Sequence, residues 1–180
     1  AILQAAIVNN INALTAALVK ETGIATKDIT CLVAAGNTTM SHFLLGITPC
    51  SLRLEPYVPT ATVYPQILAK EIGLSINPEG VVEVLPSVAS YVGGDTVAGV
   101  LACGMTNRPE VKCLIDCGTN AEIAIGNNEW LVTCAASAGP AFEGGGTKWG
   151  MSATAGAIEK MEIDNGRVVY QTINNGKPRG

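Results

Sequence analysis

Apolar positions in the first stretch of the chain recur at three- and four-residue steps: Ile2, Leu3, Ala6, Ile7, Ile11, Leu14, Ala17 and Leu18. That period predicts an amphipathic helix over residues 2–22, with Gly23 placed to end it. Residues 29–35, Ile-Thr-Cys-Leu-Val-Ala-Ala, then form one continuous apolar run between Asp28 and Gly36. Such a run suits a strand covered on both faces, as in a parallel sheet. A short helix is expected over 39–46, directly after the strand. Pro49, Pro56, Pro59 and Pro65 punctuate the next stretch, which reads as loop with one helix at 63–72.

The alternation then repeats. Val81-Val82-Glu83-Val84-Leu85 predicts a strand ended by Pro86, and Gly93-Gly94-Asp95 opens a helix to about Met105, capped by Asp95 or Thr96. Residues 106–110 are a polar, proline-containing hinge and the expected boundary between two lobes. Beyond it the period shortens to that of strands, at 111–116, 121–126 and 130–134. A glycine-rich loop at 139–146 follows, then an Ala-rich helix at about 150–159. Strands at 160–164 and 167–173 turn at Asp164-Asn165-Gly166. The whole reads as an α/β chain.

Composition narrows the classes. Apolar residues make up 48% and charged residues 14% of the 180, a balance that folds rather than staying disordered. Fifteen acidic against eleven basic side chains give a net charge of −4 with no Lys/Arg cluster, which argues against nucleic-acid binding. No apolar run is expected to reach the roughly 20 residues of a membrane span. Six cysteines include no C-x-x-C pair and there is one histidine, so zinc and iron–sulfur ligation are poorly supplied. The cysteines sit in apolar runs such as Thr30-Cys31-Leu32-Val33, which points to reduced structural thiols and a cytoplasmic setting. The chain opens directly in a helical pattern and stops after Lys-Pro-Arg, as a piece of something longer would.

Three segments carry candidate chemistry. In Leu114-Ile115-Asp116-Cys117-Gly118-Thr119-Asn120-Ala121-Glu122-Ile123 a strand ends in an acid, turns, and returns as a strand. Such a turn offers backbone N–H groups and the Thr119 hydroxyl to phosphate oxygens, and Asp116 suits Mg²⁺ held through water. An ordinary hairpin, whose turn favours the same residues, is the alternative. In Ala138-Gly139-Pro140-Ala141-Phe142-Glu143-Gly144-Gly145-Gly146 the glycines permit close approach of a ligand, or serve as a flexible connection. It is not a Walker loop, because Lys148 is followed by Trp149. Ala35-Gly36-Asn37-Thr38-Thr39-Met40 lies at a strand end before a helix, where Asn37 or Thr38 caps, or where these groups meet a ligand at the carboxyl edge of the sheet. His42 reads as structural; Asp95, Glu122 and Glu143 are the acids placed to order water or metal.

Taken in order, several runs are familiar together: Gly36-Asn37-Thr38-Thr39-Met40, Pro56-Tyr57 with Pro59, Leu85-Pro86, and Tyr91-Val92-Gly93-Gly94-Asp95. Ile115-Asp116 with Gly118-Thr119-Asn120, then Ala138 to Gly144 and Gly150-Met151, continue the series. The chain resembles the ATPase region of the reductive activators of corrinoid proteins, within the acetate and sugar kinase, heat-shock chaperone and actin superfamily. The resemblance implies a pair of ribonuclease-H-like, actin-type lobes closing on ATP and Mg²⁺. Residues 1–105 would be the later part of the first lobe and 111–180 the opening of the second, both incomplete.

It further implies ATP-driven reduction of Co(II) corrinoid protein to Co(I), with the electron supplied by a [2Fe–2S] ferredoxin domain that this chain lacks. The partner would be a corrinoid protein of methyl-transfer metabolism. Asp116 and Asp95 take catalytic positions, with Asp116 the Mg²⁺ contact through water. Asn37, Thr38, Thr39, Gly118, Thr119, Asn120, Gly139, Glu143, Gly144 and Gly145 take nucleotide-binding ones, with Asn37 to Thr39 and Asp95 facing the cleft from the first lobe. Ala121 stands where the family pattern has Gly, and Ser152 where it has Arg. The superfamily's first phosphate loop and its adenosine motif are missing, so full ATPase activity is not expected from this stretch alone. A non-catalytic scaffold and a sugar- or acid-kinase-like phosphotransferase are the alternatives.

Overall fold

A computed structural model describes residues 2–141 and 143–179. The opening helix forms as its period predicts: α1 spans Ile2–Thr22, and Gly23, at φ 73°, ends it with its N–H on the Val19 carbonyl at 2.9 Å. The face that packs differs from the expected stripe. Val8 is the buried residue, flanked by half-buried Ile7 and Ile11, while Ile2, Leu3, Leu14 and Leu18 are exposed. Polar groups fix this orientation. Gln4 donates to the Leu44 carbonyl at 3.1 Å; Asn12 donates to the Gly73 carbonyl at 3.0 Å and accepts from the Ser75 N–H at 2.7 Å. At 21 residues α1 is long and apolar enough to cross a membrane by length and composition, which corrects the expectation that no run reaches that length.

Strand β1 (Cys31–Ala34) leads into helix α2 (Thr38–Leu45), and a single turn of helix, α3, covers Cys50–Arg53. The peptide bond between Glu55 and Pro56 is cis. The helix expected at 63–72 is mostly absent. Pro65 denies its first half a helical N–H, Ile67–Leu68 forms the short strand β2, and only Ala69–Ile72 is helical, as α4, before Gly73 at φ 80°. Strand β3 (Val81–Val84) completes the first sheet, in the order β1-β3-β2. β1 and β3 run parallel, Cys31 opposite Val81 through Ala34 opposite Val84, while β2 is antiparallel to β3. The parallel pairing agrees with the sequence; burial on both faces does not, because Cys31, Val33 and Glu83 point to an exposed side. Alternate positions face the core formed by Val8, Leu44, Tyr64, Ala69, Leu74, Ile76, Val82 and Val84.

Helix α5 (Gly94–Ala102) stops at Cys103, short of the expected Met105, and a 3-10 turn follows at Met105–Asn107. Strands β4 (Lys112–Cys117), β5 (Asn120–Gly126) and β6 (Leu131–Ser137) form the second sheet, in that order. Val100, Met105 and Ala124 make a second small core with Leu114 against it. Gly99 lets α5 lie close to Leu114, where a Cβ would stand 2.9 Å from Leu114 Cδ2 and that side chain would have to shift.

The Ala-rich segment at 150–157 is not helical; β7 begins at Ile158, runs to Asp164, and pairs with β8 (Arg167–Thr172) in an antiparallel hairpin. Long-range bonds displace the helix. Gly156, at φ 91°, donates to the Ile173 carbonyl, and Ile173 donates to the Ala157 carbonyl at 2.9 Å. The hairpin turn is as predicted, with Asn165 at φ 49° and Gly166 at φ 77°. All six cysteines are free and exposed, which corrects their reading as buried hydrophobes.

The chain divides into two compact units, residues 1–114 with 124–134, and residues 115–123 with 135–180. Val82 is fully buried at the centre of the first sheet. Val82→Ala should lower stability by about 2 kcal/mol, from two lost methyl groups and the space they leave. Urea denaturation of the two proteins side by side checks this, and equal midpoints would contradict the assigned core.

Candidate functional site

The candidate residues fall into two groups, one in each unit. In the first, the parallel strands β1 and β3 deliver the chain to a common edge. Asn37 follows β1 as the N-cap of α2, and its Oδ1 accepts from the Met40 N–H at 2.9 Å. Thr38 is fully buried; its hydroxyl donates to the Ala89 carbonyl at 2.7 Å, so this side chain ties the turn to the loop after β3. Thr39 is half-buried in the same helical turn. His42 is a core histidine, with Nδ1–H donating to the Thr38 carbonyl at 2.7 Å and its ring edge-on to Tyr64 at 6.1 Å.

The segment after β3 returns to the same edge at Gly93, the N-cap of α5. This corrects the expected cap at Asp95 or Thr96: Asp95 lies in the first turn, its Oδ1 accepting from the Thr96 N–H at 2.8 Å. A Cβ on Gly93 would stand 2.4 Å from Asn37 Cα and 2.8 Å from Asp95 Oδ1, so glycine is what lets these backbones approach. The Asp95 N–H reaches the Gly36 carbonyl at 3.3 Å. Asn37 and Asp95 are therefore brought together, and Asp95 is half-buried.

The second group surrounds the turn between β4 and β5. Asp116 is exposed near the end of β4, and its side chain makes no hydrogen bond or ion pair among the described residues. The following turn is internally bonded: the Gly118 N–H donates to the Asn120 carbonyl at 2.8 Å. The Thr119 carbonyl accepts from the N–H groups of Ala138 and Gly139 at 3.1 and 2.8 Å, drawing the glycine loop alongside. The Thr119 hydroxyl donates to Glu143 Oε1 at 2.7 Å. Neither the Gly118 N–H nor that hydroxyl is therefore free, as the bare turn had implied. No sequence signal announces this contact, which joins residues 24 positions apart.

The glycines of the loop divide by role. Gly144, at φ 79°, passes so close to Met151 that a Cβ would meet its carbonyl oxygen at 2.1 Å, and one on Gly145 would meet Pro140 at 2.9 Å. Those two make room for the chain itself. Gly139, at φ 83°, has nothing within 4 Å of a built Cβ and stays open. Phe142 lies outside the described residues. Glu122 is half-buried on β5.

Chemically, the second group is an uncommitted carboxylate on a strand beside a turn whose hydroxyl already holds an anionic oxygen. Among the described residues no three His, Cys, Asp or Glu side chains converge to hold a metal. A dedicated cage is thus absent there, whereas Mg²⁺ bound with phosphate needs only one or two carboxylates, a role Asp116 fits. In the first group, Gly93→Ala should force Asn37 and Asp95 apart and cost about 2 kcal/mol or more. Urea denaturation, with the Asn37 and Asp95 amide NMR shifts as local reporters, checks it; unchanged stability and shifts would contradict the close approach.

Residues 1–108 match the family model described as the RACo middle region, and residues 110–180 match that of the C-terminal domain of RACo, the ASKHA domain. The chain is 38% identical over 161 residues to the corrinoid activation enzyme RamQ of Eubacterium limosum, covering 89% of this chain and 27% of that protein. A [Co(II) methylated amine-specific corrinoid protein] reductase of Methanosarcina barkeri is 40% identical over 75 residues, 42% of this chain and 14% of that one. A solved reductive activator for corrinoid, iron–sulfur protein superposes with a TM-score of 0.81 and 49% identity, over 96% of this chain and 28% of its own. The chain thus spans little more than a quarter of the first of these relatives and of the solved structure.

Proposed function

The chain belongs to the RACo family, whose models match residues 1–108 and 110–180, and on that premise we propose that it serves an ATP-dependent reductive activator of a corrinoid protein. The activity is the reduction of Co(II) corrinoid to Co(I), with a [2Fe–2S] ferredoxin domain elsewhere in the longer protein as electron donor and a methyl-transfer corrinoid protein as partner. The names of the relatives, a corrinoid activation enzyme and a Co(II) corrinoid protein reductase, favour this reading. The acidic balance and the cysteines without a C-x-x-C pair favour a cytoplasmic protein with no nucleic-acid partner. The two family matches meet at residues 108–110, in keeping with a lobe boundary at 106–110.

One observation carries the nucleotide assignment: exposed Asp116 stands two residues before a Gly118-Thr119 turn whose hydroxyl already binds a carboxylate oxygen. A donor arranged for one anionic oxygen suits a phosphate oxygen equally. Asp116 would hold Mg²⁺ through water, the metal supplying charge neutralisation for phosphate. Thr119, Gly118, Asn120 and Gly139 would line the phosphate side in this unit, Glu143 would yield the Thr119 hydroxyl to phosphate, and Gly144 and Gly145 would shape the nucleotide-binding loop by letting the chain pass close to itself. In the first unit, Asn37, Thr38 and Thr39 would serve nucleotide binding, Thr38 through the backbone it fastens, and Asp95 would be the second catalytic carboxylate. A scaffold role has one observation in its favour, the engagement of the Thr119 hydroxyl by Glu143.

In the full-length protein, Asp116→Asn should reduce Mg²⁺-dependent ATP hydrolysis roughly a hundredfold or more, the scale seen when a charge-stabilising group is removed. Circular dichroism should stay unchanged, since amide and carboxylate are nearly isosteric and the site is exposed. A mutant with full hydrolysis would overturn the assignment and favour the scaffold.

A further inference from the structure

The Glu143 carboxylate lies against both residues of the turn after β4. Its Oε1 accepts the Thr119 hydroxyl at 2.7 Å, and the same oxygen lies 3.6 Å from where a Cβ on Gly118 would stand. The backbone that carries it is bonded to itself: Glu143 N–H donates to the Pro140 carbonyl at 3.2 Å, and Gly145 N–H to the same oxygen at 2.8 Å. The Glu143 side chain is exposed, so it can turn into solvent without disturbing a core. Its charge goes uncompensated. Glu143 makes no ion pair among the described residues, and Lys148 Nζ lies over the Trp149 ring, 5.1 Å from its centroid. Asp116, on the strand leading into the turn, is a second carboxylate without an ion pair among the described residues.

A hydroxyl donor attracts a phosphate oxygen, whereas carboxylates beside it repel one. A like charge next to a binding group confers selectivity, because it penalises every ligand that brings no compensating charge. A divalent cation brings that charge, and Mg²⁺ bound with phosphate takes one or two carboxylates. Resting on the nucleotide reading above, we propose that Glu143 is a charge gate on the Gly118–Thr119 turn. It engages the Thr119 hydroxyl when no ligand is bound, rejects bare phosphate groups, and gives way to a nucleotide that carries Mg²⁺. The discriminating property is the negative charge. A hydrogen bond serving only to pin the loop would need an acceptor and no charge, and an amide oxygen supplies that acceptor equally well.

Calorimetric titration of the full-length protein with a non-hydrolysable ATP analogue, in Mg²⁺ and again in EDTA, tests this on wild type, Glu143→Gln and Glu143→Ala. Glu143→Gln keeps an acceptor for Thr119 and removes the charge. It should tighten metal-free binding about tenfold and Mg²⁺-loaded binding by less than about threefold, so that the dependence on Mg²⁺ shrinks. Glu143→Ala should shift both affinities in the same sense. Metal-free binding as weak in Glu143→Gln as in wild type would overturn the gate, as would equal tightening in both conditions. Weaker Mg²⁺-loaded binding in Glu143→Gln would overturn it too, making Glu143 a direct ligand of the nucleotide or its metal. Wild type that binds the analogue, with variants that match it, fells the gate alone. No binding by any of the three proteins in either condition fells the nucleotide reading and the gate together.

Discussion

Two strands that run side by side in the same direction release their chains at the same edge, whatever lies between them in sequence. Here β1 and β3 are separated by 46 residues yet pair in register from Cys31–Val81 to Ala34–Val84, and Leu85 N–H continues the ladder onto the Ala34 carbonyl at 2.9 Å. The turn after β1 and the helix entered after β3 consequently meet, through Gly93 against Asn37 and Asp95 N–H on the Gly36 carbonyl. Every polar group of the first candidate group depends on that pairing. Residues carrying the same identities on antiparallel strands would emerge at opposite ends.

The two groups differ in how they are held. Asn37 and Asp95 are fixed by backbone approach, with Thr38 bolted beneath them to Ala89, so their placement follows from packing. Thr119 and Glu143 meet through one side-chain hydrogen bond on an exposed turn whose backbone is tied to Ala138 and Gly139, and Asp116 beside it makes no hydrogen bond or ion pair among the described residues. The first group is held by backbone packing, and the second by a side-chain hydrogen bond to an anionic oxygen on the surface.

Much of the fold was legible because local chemistry and tertiary context agree. The apolar runs at β1 and β3 had no competing pattern, Asn37 caps in the way its side chain favours, and Asn165-Gly166 adopts the positive φ that a tight hairpin demands. Where context prevailed, the sequence misled. Residues 150–159 are rich in helix formers, but Gly156 and Ala157 are bonded to Ile173, and those contacts outweigh propensity. α1 carries apolar residues on more than one side, so its period located the helix without telling which face packs; Gln4 and Asn12 decide that. The candidate acids were visible as acids. The Thr119–Glu143 contact was not, because it joins residues 24 positions apart, across β5 and β6, without any local pattern.

Six free thiols on the surface give the chain a redox chemistry of its own. None is shielded by a core or paired with a neighbour, so an oxidant meets every one from solvent, and each can form a mixed disulfide or a sulfenic acid without unfolding the protein. No cysteine is bonded to another in the native state, so each of the six is available for exchange with a small-molecule disulfide. Air exposure of the chain should therefore produce oxidised, disulfide-bonded forms that thiol reductants reverse.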